Sequence, residues 1–306
     1  IYMPENNKII KPFFNCNNMV DPIKKILLKH PRSAFVNQNK INIEYKKLNF
    51  LGAPNFDESI NEYESFIEIL ISLNIKLYFL EKDGKTTIDS IYTHDPFIIS
   101  NEGAIICNMG KKKRINEIEN IKKFLNKENI PVIGEISAPG KLEGGDIVWI
   151  NKNTIAVGIG YRSNIEGVEQ LEKILFKSVK DIIPVALPHW NGPNDCLHLM
   201  SNLSPIDHNL FLVHLRLLPV EFIQYLSKNG IELIDVPDKE YQKMACNVLT
   251  VSPKEVIMLE GNPLTKHLLE KRKVKVHTFK GSEISIKGSG GPTCLTKPLF
   301  RQESYE

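Results

Sequence analysis

Apolar and polar residues alternate along this chain in two patterns that repeat. A stretch with helical periodicity is followed, after a short break, by an apolar run of strand length. The predicted pairs of helix and strand are 62–73 with 75–80, 116–125 with 130–134, 167–176 with 182–187, 219–226 with 231–236, and 264–269 with 274–279. They recur at intervals of roughly 45–55 residues, a period that indicates repeated architecture.

A further apolar, β-rich run precedes each predicted helix. These runs are 33–36, 97–100 with 104–106, 147–150 with 154–157, 210–213, and 248–251 with 256–259. The polar residues Asn151, Lys152 and Asn153 join two of the runs and predict a hairpin. Each unit is therefore predicted to contain one or two strands, a helix and a final strand.

Five such units predict an α/β protein that is pseudo-symmetric about an axis, with its helices outside and its strand ends meeting at a central cleft. An open doubly wound sheet and two separate domains are the alternatives. No linker rich in Ser, Gly or Pro divides the chain, which favours one domain over residues 1–306. Residues 1–30 would then form an N-terminal extension and the start of the first unit.

Composition and charge exclude some classes of protein. The 306 residues are 42% hydrophobic and 25% charged, with a formal net charge of +3. Both signs of charge are spread along the chain, which argues against a nucleic-acid-binding protein. No apolar run approaches the roughly 18 residues needed to cross a bilayer. The first residues are polar and mixed, so we expect neither a membrane span nor a secretory signal.

The cysteines are odd in number and widely spaced: Cys16, Cys107, Cys196, Cys246 and Cys294. They form no CxxC pair, so neither a disulfide framework nor a structural zinc site is expected. This usage favours a reducing, cytoplasmic location.

One cysteine stands in a segment that could expose it to a cleft. Cys294 follows Gly290, Gly291, Pro292 and Thr293, so its thiol is predicted to lie on a tight loop. A cysteine on a loop is most often a free thiol without a role. As a nucleophile it must react as the thiolate, which requires a neighbouring base or positive charge.

Two histidines are candidates for that base. His198 lies inside an apolar stretch, where a histidine is more often a hydrogen-bonded core residue, yet imidazole is the natural general acid and base near neutral pH. His189 is the competitor; its neighbours Pro188 and Gly192 favour an ordinary loop position.

Acidic residues flank two glycines ahead of a predicted strand. Glu143 and Asp146 enclose Gly144 and Gly145. A surface turn would explain this composition. Alternatively, the glycines allow the backbone to pass close to a ligand or to His198, with Glu143 orienting the imidazole.

A second pair of acids has the spacing of an extended segment. Asp89 and Asp95 are six residues apart, so on a strand they would point to the same face. They are either a turn acid and a strand-end acid, or a paired seat for a guanidinium, whose planar donors match carboxylates. His94 stands beside the second acid. Arg114 ends a basic run, and Arg162 precedes a predicted helix; either could hold a substrate carboxylate.

Taken in order, these segments resemble the guanidino-group-modifying enzymes of the pentein fold. The resemblance rests on the segments 89–96, 142–146, 160–164, 197–199 and 290–295. That group includes dimethylarginine dimethylaminohydrolases, arginine deiminases and amidinotransferases. The dimethylarginine dimethylaminohydrolase type looks nearest, because Met200 stands where arginine deiminases carry an aspartate. His94 departs from the acid that the hydrolase type often has there.

The resemblance implies a role for each candidate residue. Asp89 and Asp95 would hold the guanidinium, and Cys294 would attack its central carbon. His198 would protonate the departing amine and then activate water, while Glu143 fixes the imidazole. The remaining residues of the implied substrate site are Arg162, Arg114, His94 and Asp146.

The resemblance also implies that neither a metal nor another cofactor is needed, although zinc could bind Cys294 and His198 as an inhibitor. The first hypothesis is a hydrolase that cleaves a C–N bond of arginine or an N-omega-substituted arginine through a covalent thiouronium. An amidinotransferase is the alternative, and a non-catalytic binding protein of the same fold, of the kind that binds ribosomal subunits, is the third. The expected partner is a small guanidino compound; a homodimer is left open.

Overall fold

The computed structural model describes residues 14–303. Its strands in that range are β1 (Ile23–Leu28), β2 (Lys76–Phe79), β3 (Phe97–Ile99), β4 (Ala104–Ile106), β5 (Val132–Glu135), β6 (Ile147–Asn151), β7 (Thr154–Ile159), β8 (Asp181–Ala186), β9 (Leu203–Asp207), β10 (Leu210–Val213), β11 (Glu232–Asp235), β12 (Leu249–Ser252), β13 (Glu255–Leu259), β14 (Lys275–Phe279) and β15 (Lys297–Arg301).

The α-helices of the same range are α1 (Pro31–Ala34), α2 (Gln38–Glu44), α3 (Phe56–Ser72), α4 (Glu117–Lys127), α5 (Ile165–Leu175), α6 (Leu199–Asn202), α7 (Val220–Lys228), α8 (Asp238–Tyr241) and α9 (Pro263–Lys271). Short 3-10 turns span Lys46–Leu48, Ile88–Ile91, Lys112–Arg114, Gly144–Asp146 and Leu215–Leu217, and a single π-turn spans Ser282–Ile286.

The described strands form five three-stranded sheets of one design. In each sheet a middle strand pairs antiparallel with one neighbour and parallel with the other. We call the antiparallel neighbours, β15, β3, β6, β9 and β12, the inner strands; nearly all of their residues are buried. The parallel neighbour follows a helical crossover, which a parallel pair requires.

Apolar packing closes the five sheets into a ring. Each of five buried clusters joins one sheet to the next. Each cluster contains residues from both neighbouring sheets, for example Leu27 and Phe97, Ile98 and Trp149, Val148 and Phe211, Leu212 and Val256, and Leu249 and Ile26. The first sheet combines the beginning and the end of the described chain, because its strands are β15, β1 and β2.

Two of the long helices, α3 and α5, combine a capping side chain with an apolar stripe. Asn55 caps α3 by accepting a hydrogen bond from the Glu58 backbone, and Asn164 caps α5 in the same way through Gly167. The stripe of α3 includes Tyr63, Phe66 and other residues that are buried in the cluster joining the fifth and first sheets.

The five predicted helix and strand pairs coincide with α3 and β2, α4 and β5, α5 and β8, α7 and β11, and α9 and β14. The strand predicted at 33–36 is wrong. Pro31 begins the short helix α1 after the His30 cap, and Val36 has a left-handed φ of 68° that ends the regular structure. The first unit takes its strand from 23–28 instead, and the inner strands β9 and β15 were not predicted.

The predicted hairpin is present between β6 and β7, with Asn151 as the last residue of β6. Of the N-terminal extension, residues 1–13 lie outside the described residues. No helix among residues 14–303 is both long enough and apolar enough to span a membrane.

The contribution of the apolar junctions to stability can be tested by truncating one buried side chain. Leu27 is fully buried in the junction between the first and second sheets, whereas Ile71 on α3 is 57% exposed. We expect Leu27→Ala to lower the free energy of unfolding by about 2–5 kcal/mol through lost burial and the remaining cavity. Ile71→Ala, the control, should change it by less than about 0.5 kcal/mol. Urea denaturation measures both, and equal effects would contradict the assignment of this junction to the core.

Candidate active site

The turn Gly144–Asp146, just before β6, packs closely against Asp95 and His198. Its backbone amide at Gly145 donates to Oδ1 of Asp95 over 3.0 Å, and the amide at Gly144 donates to the Asp95 carbonyl over 2.9 Å. A Cβ atom on Gly145 would collide with the ring of His198. The glycines are therefore needed for close approach, and they place Glu143 beside the imidazole.

Glu143 is a fully buried carboxylate that accepts hydrogen bonds from three neighbours. Its Oε2 lies 2.7 Å from Nε2 of His198 and accepts a hydrogen bond of 2.9 Å from the Arg162 guanidinium. Its Oε1 accepts from the backbone of Lys111 over 2.9 Å. Burial opposes ionisation, but the hydrogen bond from His198 and the Arg162 charge outweigh it and lower the Glu143 pKa to about 2.

His198 stands at the first turn of α6, where its backbone amide donates to the Ser201 hydroxyl over 3.1 Å. Its Nδ1 lies 3.6 Å from Sγ of Cys196 and 3.9 Å from Oδ1 of Asp95. Burial disfavours the imidazolium, but the negative charges of Cys196, Asp146 and Asp95 outweigh it and raise the pKa of His198 well above its ordinary value. The resting imidazole is therefore protonated.

Cys294 lies on the loop that leads into β15. The side-chain amide of Asn247 donates to its Sγ over 3.3 Å, and a Cβ atom on Gly291 would collide with that asparagine. Burial, reinforced by the charges of Asp95 and Cys196, raises the pKa of the Cys294 thiol to about 12. The thiol is therefore protonated until a positive charge arrives beside it.

Asp95 and Arg114 form a buried ion pair. The guanidinium donates to Oδ2 of Asp95 over 2.5 Å, to both oxygens of Glu117 over 2.8 and 2.9 Å, and to the Tyr92 carbonyl over 2.7 Å. Burial opposes ionisation of Asp95, yet the charges of His198 and Arg114 hold its pKa well below the usual range. Arg114 is thus fully engaged within the protein.

Asp89 lies on the 3-10 turn Ile88–Ile91 and is paired with a lysine. The Lys111 ammonium is 2.6 Å from Oδ2 of Asp89 and donates to the Leu48 carbonyl over 2.8 Å. That Asp89 oxygen has no aligned hydrogen bond, so the contact is an ion pair. The structure therefore does not place Asp89 and Asp95 as two free carboxylates on one face.

Asp146 lies behind the imidazole and ties two segments together. Its Oδ2 accepts from the Ser163 hydroxyl over 2.6 Å, and its Oδ1 accepts from the Leu199 backbone over 3.0 Å. Burial raises the pKa of Asp146 to about 6. Because Leu199 follows the histidine directly, this carboxyl group holds the turn that presents the imidazole.

His94, which belongs to the second unit, contacts the loop that contains Cys294. Its Nδ1 is 3.0 Å from the Thr296 carbonyl, and its backbone amide donates to the Cys294 carbonyl over 3.3 Å. Burial and the charge of Lys297 lower the pKa of His94 to about 3. Its ring is therefore neutral.

These segments meet at a cavity of about 340 Å³. Four of the predicted site residues line it, namely Cys294, His198, His94 and Arg162. The other five lie behind its wall: Asp89, Asp95, Arg114, Glu143 and Asp146. His189 is not among the lining residues. A thiol and a protonated imidazole thus face one chamber, with buried carboxylates behind the imidazole.

Sequence reasoning missed three residues of this wall: Cys196, Asn247 and Lys111. Burial opposes ionisation of Cys196, but the charges of His198 and Arg162 outweigh it and lower the pKa of the thiol. A positional signal was available for Asn247, because each inner strand is preceded within a few residues by a polar residue of the site. Asn247 stands two residues before β12.

One group of donor atoms has the spacing of a metal site. Ligand atoms of Asp95, Glu143 and His198 all lie within 4.8 Å of one another. The guanidinium ions of Arg114 and Arg162 already neutralise the two carboxylates. A divalent cation would meet these positive charges, so the trio does not fit a metal.

A family model described as N,N dimethylarginine dimethylhydrolase, eukaryotic, matches residues 31–301. The chain belongs to this family. This member of the dimethylarginine dimethylhydrolase family is also similar to an arginine deiminase from Listeria welshimeri. The two are 28% identical over 254 residues, which cover 69% of this chain and 61% of the relative. The chain thus spans about three-fifths of the length of that relative.

Solved structures of similar fold agree with the five-sheet ring. DDAH from Pseudomonas aeruginosa, in a complex with citrulline, superposes with a TM-score of 0.73 and 23% identity, covering 90% of this chain and 98% of that one. SxtG, an amidinotransferase from Microseira wollei, gives a TM-score of 0.79 at 14% identity, covering 96% and 99%. The predicted pentein fold is therefore confirmed for this family member.

The contact between Cys196 and His198 yields a direct test. Cys196→Ser replaces an ionisable thiol with a neutral hydroxyl and removes a negative charge beside the imidazolium. We expect the pKa of His198 to fall, because the charge of Cys196 helps to hold it above its ordinary value. A titration of the imidazole nitrogens by NMR measures this shift. Cys246→Ser is the matched control, because that thiol is buried against the Leu212 carbonyl away from the cavity; an unchanged His198 in Cys196→Ser would contradict the pairing.

Proposed function

We propose that this protein hydrolyses a C–N bond of a guanidino compound, arginine or an N-omega-substituted arginine, through a covalent intermediate on Cys294. The observation that carries the proposal is that Cys294 and His198 face the same cavity, with Glu143 at Nε2 of the imidazole and Asp95 near Nδ1. The membership of the dimethylarginine dimethylhydrolase family and the similarity to arginine deiminases support this class of substrate.

The guanidinium itself would activate the nucleophile. A planar cation that binds beside Cys294 places a positive charge against a thiol whose pKa is otherwise about 12, which favours the thiolate. Asp95 would supply the opposite charge for the cation. Its Oδ1 accepts a hydrogen bond from the Gly145 amide and lies near Nδ1 of His198, the ring atom that also neighbours Cys196 of the cavity wall. Arg114 holds the other oxygen and so fixes the carboxylate in place.

The reaction then needs two steps. The Cys294 thiol releases its proton to solvent as the cation binds, and its sulfur forms a bond to the central carbon. The C–N bond to the leaving nitrogen breaks as His198 delivers its proton to that nitrogen. Water then adds to the thiouronium and gives a proton to His198. The C–S bond breaks, releasing the ureido product and the thiolate. General acid and base catalysis of this kind contributes roughly 10²–10⁴-fold.

Glu143 and Asp146 act through the histidine. Glu143 accepts the hydrogen bond from Nε2 and stabilises the imidazolium, while Asp146 fixes the backbone that follows it. This arrangement leaves Nδ1 as the atom that exchanges the proton with the substrate.

Arg162 is the better candidate for a substrate carboxylate. It lines the cavity and uses one terminal nitrogen on Glu143. Arg114 does not line the cavity and has its donors engaged, so we assign it to the positioning of Asp95. We assign Asp89 to the positioning of Lys111 rather than to the guanidinium. The neutral His94 stands on the wall without contributing a second negative charge.

We further infer one catalytic domain and a reducing, cytoplasmic location. The ring of five junctions supports the single domain. All five cysteines are free thiols, which supports a reducing compartment. The expected partner is the small guanidino substrate.

The experiment is to mix the protein with arginine or with N-omega-methylated arginines and to assay ureido product, with mass spectrometry of the acid-quenched protein. We expect product and an amidino adduct on the peptide that contains Cys294. Cys294→Ser should lose both, and Cys246→Ser, the control, should keep both. Product that appears only with an added amine would assign an amidinotransferase. Absence of turnover and adduct in the folded protein would favour a non-catalytic binding protein.

The close approach at Gly145 gives a second test. Gly145→Ala adds a methyl group against the His198 ring and displaces it, so we expect kcat to fall roughly 10²-fold. Gly84→Ala is the control, because nothing lies within 4 Å of its added Cβ atom. Steady-state turnover measures both variants, and circular dichroism checks the fold. Unimpaired turnover in Gly145→Ala would argue against His198 as the proton donor.

A further inference from the structure

The inner strands enclose a second cavity, of about 50 Å³, beside the axis of the ring. Residues from β3, β6 and β15 line it, together with the coil Cys16, Asn18 and Met19. His94 lines both this chamber and the catalytic one, and so separates them. We call it the axial cavity. A few water molecules or one small ion would fit it.

Two buried cations line the axial cavity. Lys297 is 5% exposed and Arg301 is 4% exposed, and both lie on β15. Within residues 14–303 the Lys297 ammonium has neither a hydrogen bond nor an ion pair. Its aromatic neighbour is the Phe97 ring, whose centre lies 5.3 Å from Nζ. This is a charged group nine-tenths buried without an anionic partner.

Arg301 is held by carbonyl groups alone. Its terminal nitrogens donate to the Asp21 carbonyl over 2.6 Å and to the Thr250 carbonyl over 2.9 Å. No carboxylate among the described residues forms an ion pair with it. These neutral acceptors orient the guanidinium, and the Asp21 carboxylate attracts it without forming an ion pair, so its charge is compensated only in part.

The axial cavity has no acidic lining residue in the described part of the chain. The carboxylate of Asp95 exerts some attraction on Lys297, but it does not line the axial cavity and its ion pair is with Arg114. The thiols of Cys107 and Cys16 also interact with Lys297, but burial raises the pKa of both and keeps them neutral.

Burying an unpaired cation is costly, and a protein offsets this cost by pairing the charge. Burial lowers the pKa of Lys297 to about 8 and that of Arg301 to about 10, so both remain largely cationic near neutral pH. A mobile anion would supply the charge that the surrounding side chains do not.

We propose that the axial cavity binds one small monovalent anion, of the size of chloride, between Lys297 and Arg301. The ligand is defined by its charge and size. A halide fits a chamber of this volume and needs no directional donors beyond the ammonium and the guanidinium. The site is separate from the catalytic cavity and does not depend on the proposed reaction.

A bound anion would stabilise the segment that carries the nucleophile. Lys297 begins β15 three residues after Cys294, and His94 hydrogen-bonds to Thr296 between them. Neutralising the ammonium removes the repulsion between the first strand residue and the other buried cation. We therefore expect the bound anion to stabilise the packing of β15 in the ring, whether or not substrate is present.

The test is thermal unfolding of the full chain in sodium chloride and in sodium gluconate, whose anion is too large for the cavity, at equal ionic strength. We expect a saturable rise in the unfolding midpoint of about 2 °C or more in chloride. Lys297→Met should abolish the difference between the salts and unfold no earlier than the parent without chloride. Lys173→Met, at an exposed position of α5, should keep the difference.

A second measurement decides the matter if Lys297→Met fails to fold. Crystals of the unaltered protein in bromide, at the concentration that saturates the stabilisation, should show an anomalous peak between Lys297 and Arg301. An empty cavity in that map, equal effects of the two salts on the parent, or an unchanged chloride effect in Lys297→Met would each overturn the proposal.

Discussion

The pairing of β1 with β15 is the constraint on which the rest of the structure depends. It joins residues near both ends of the described chain into one sheet, with Ile26 opposite Pro298 and Leu27 opposite Lys297. Without it the first sheet would lose its inner strand, and the apolar packing that closes the ring would be interrupted there. Cys294 stands just before β15, so the same pairing sets the position of the thiol against the imidazole.

Charge pairing is the second organising feature, because the site concentrates ionisable groups that water does not reach. Arg162 pairs with Glu143, Arg114 with Asp95 and Lys111 with Asp89. In each pair, the attraction between the two charges offsets part of the free-energy cost of burying them. Hydrogen bonds from backbone amides fix the carboxylates further. The proposed substrate cation would meet acceptors that are already in place, which reduces the ordering cost of binding.

The elements that were predicted correctly from the sequence are those determined by residues close to one another in the chain. Helical stripes and parallel strands have short-range periodicity, and the segments at 142–146 and 290–295 contain glycines that permit close approach. Asn247 was missed because its signal is positional: it stands two residues before an inner strand, and no local motif marks it. The pairing of Arg114 with Asp95 and of Lys111 with Asp89 depends on tertiary contacts, which one sequence does not display. The strand assigned to 33–36 failed because Pro31 starts a helix there.

The ring also has a consequence for how the molecule folds. Asn15 hydrogen-bonds to Leu299 and Arg301, so the first sheet closes a loop of nearly the whole described chain. Contacts of such sequence separation carry a large loop-closure entropy and form slowly. The four remaining sheets can each form from consecutive segments. The cavity is thus completed only when β15 joins β1, and Cys294 lies on the loop that leads into β15.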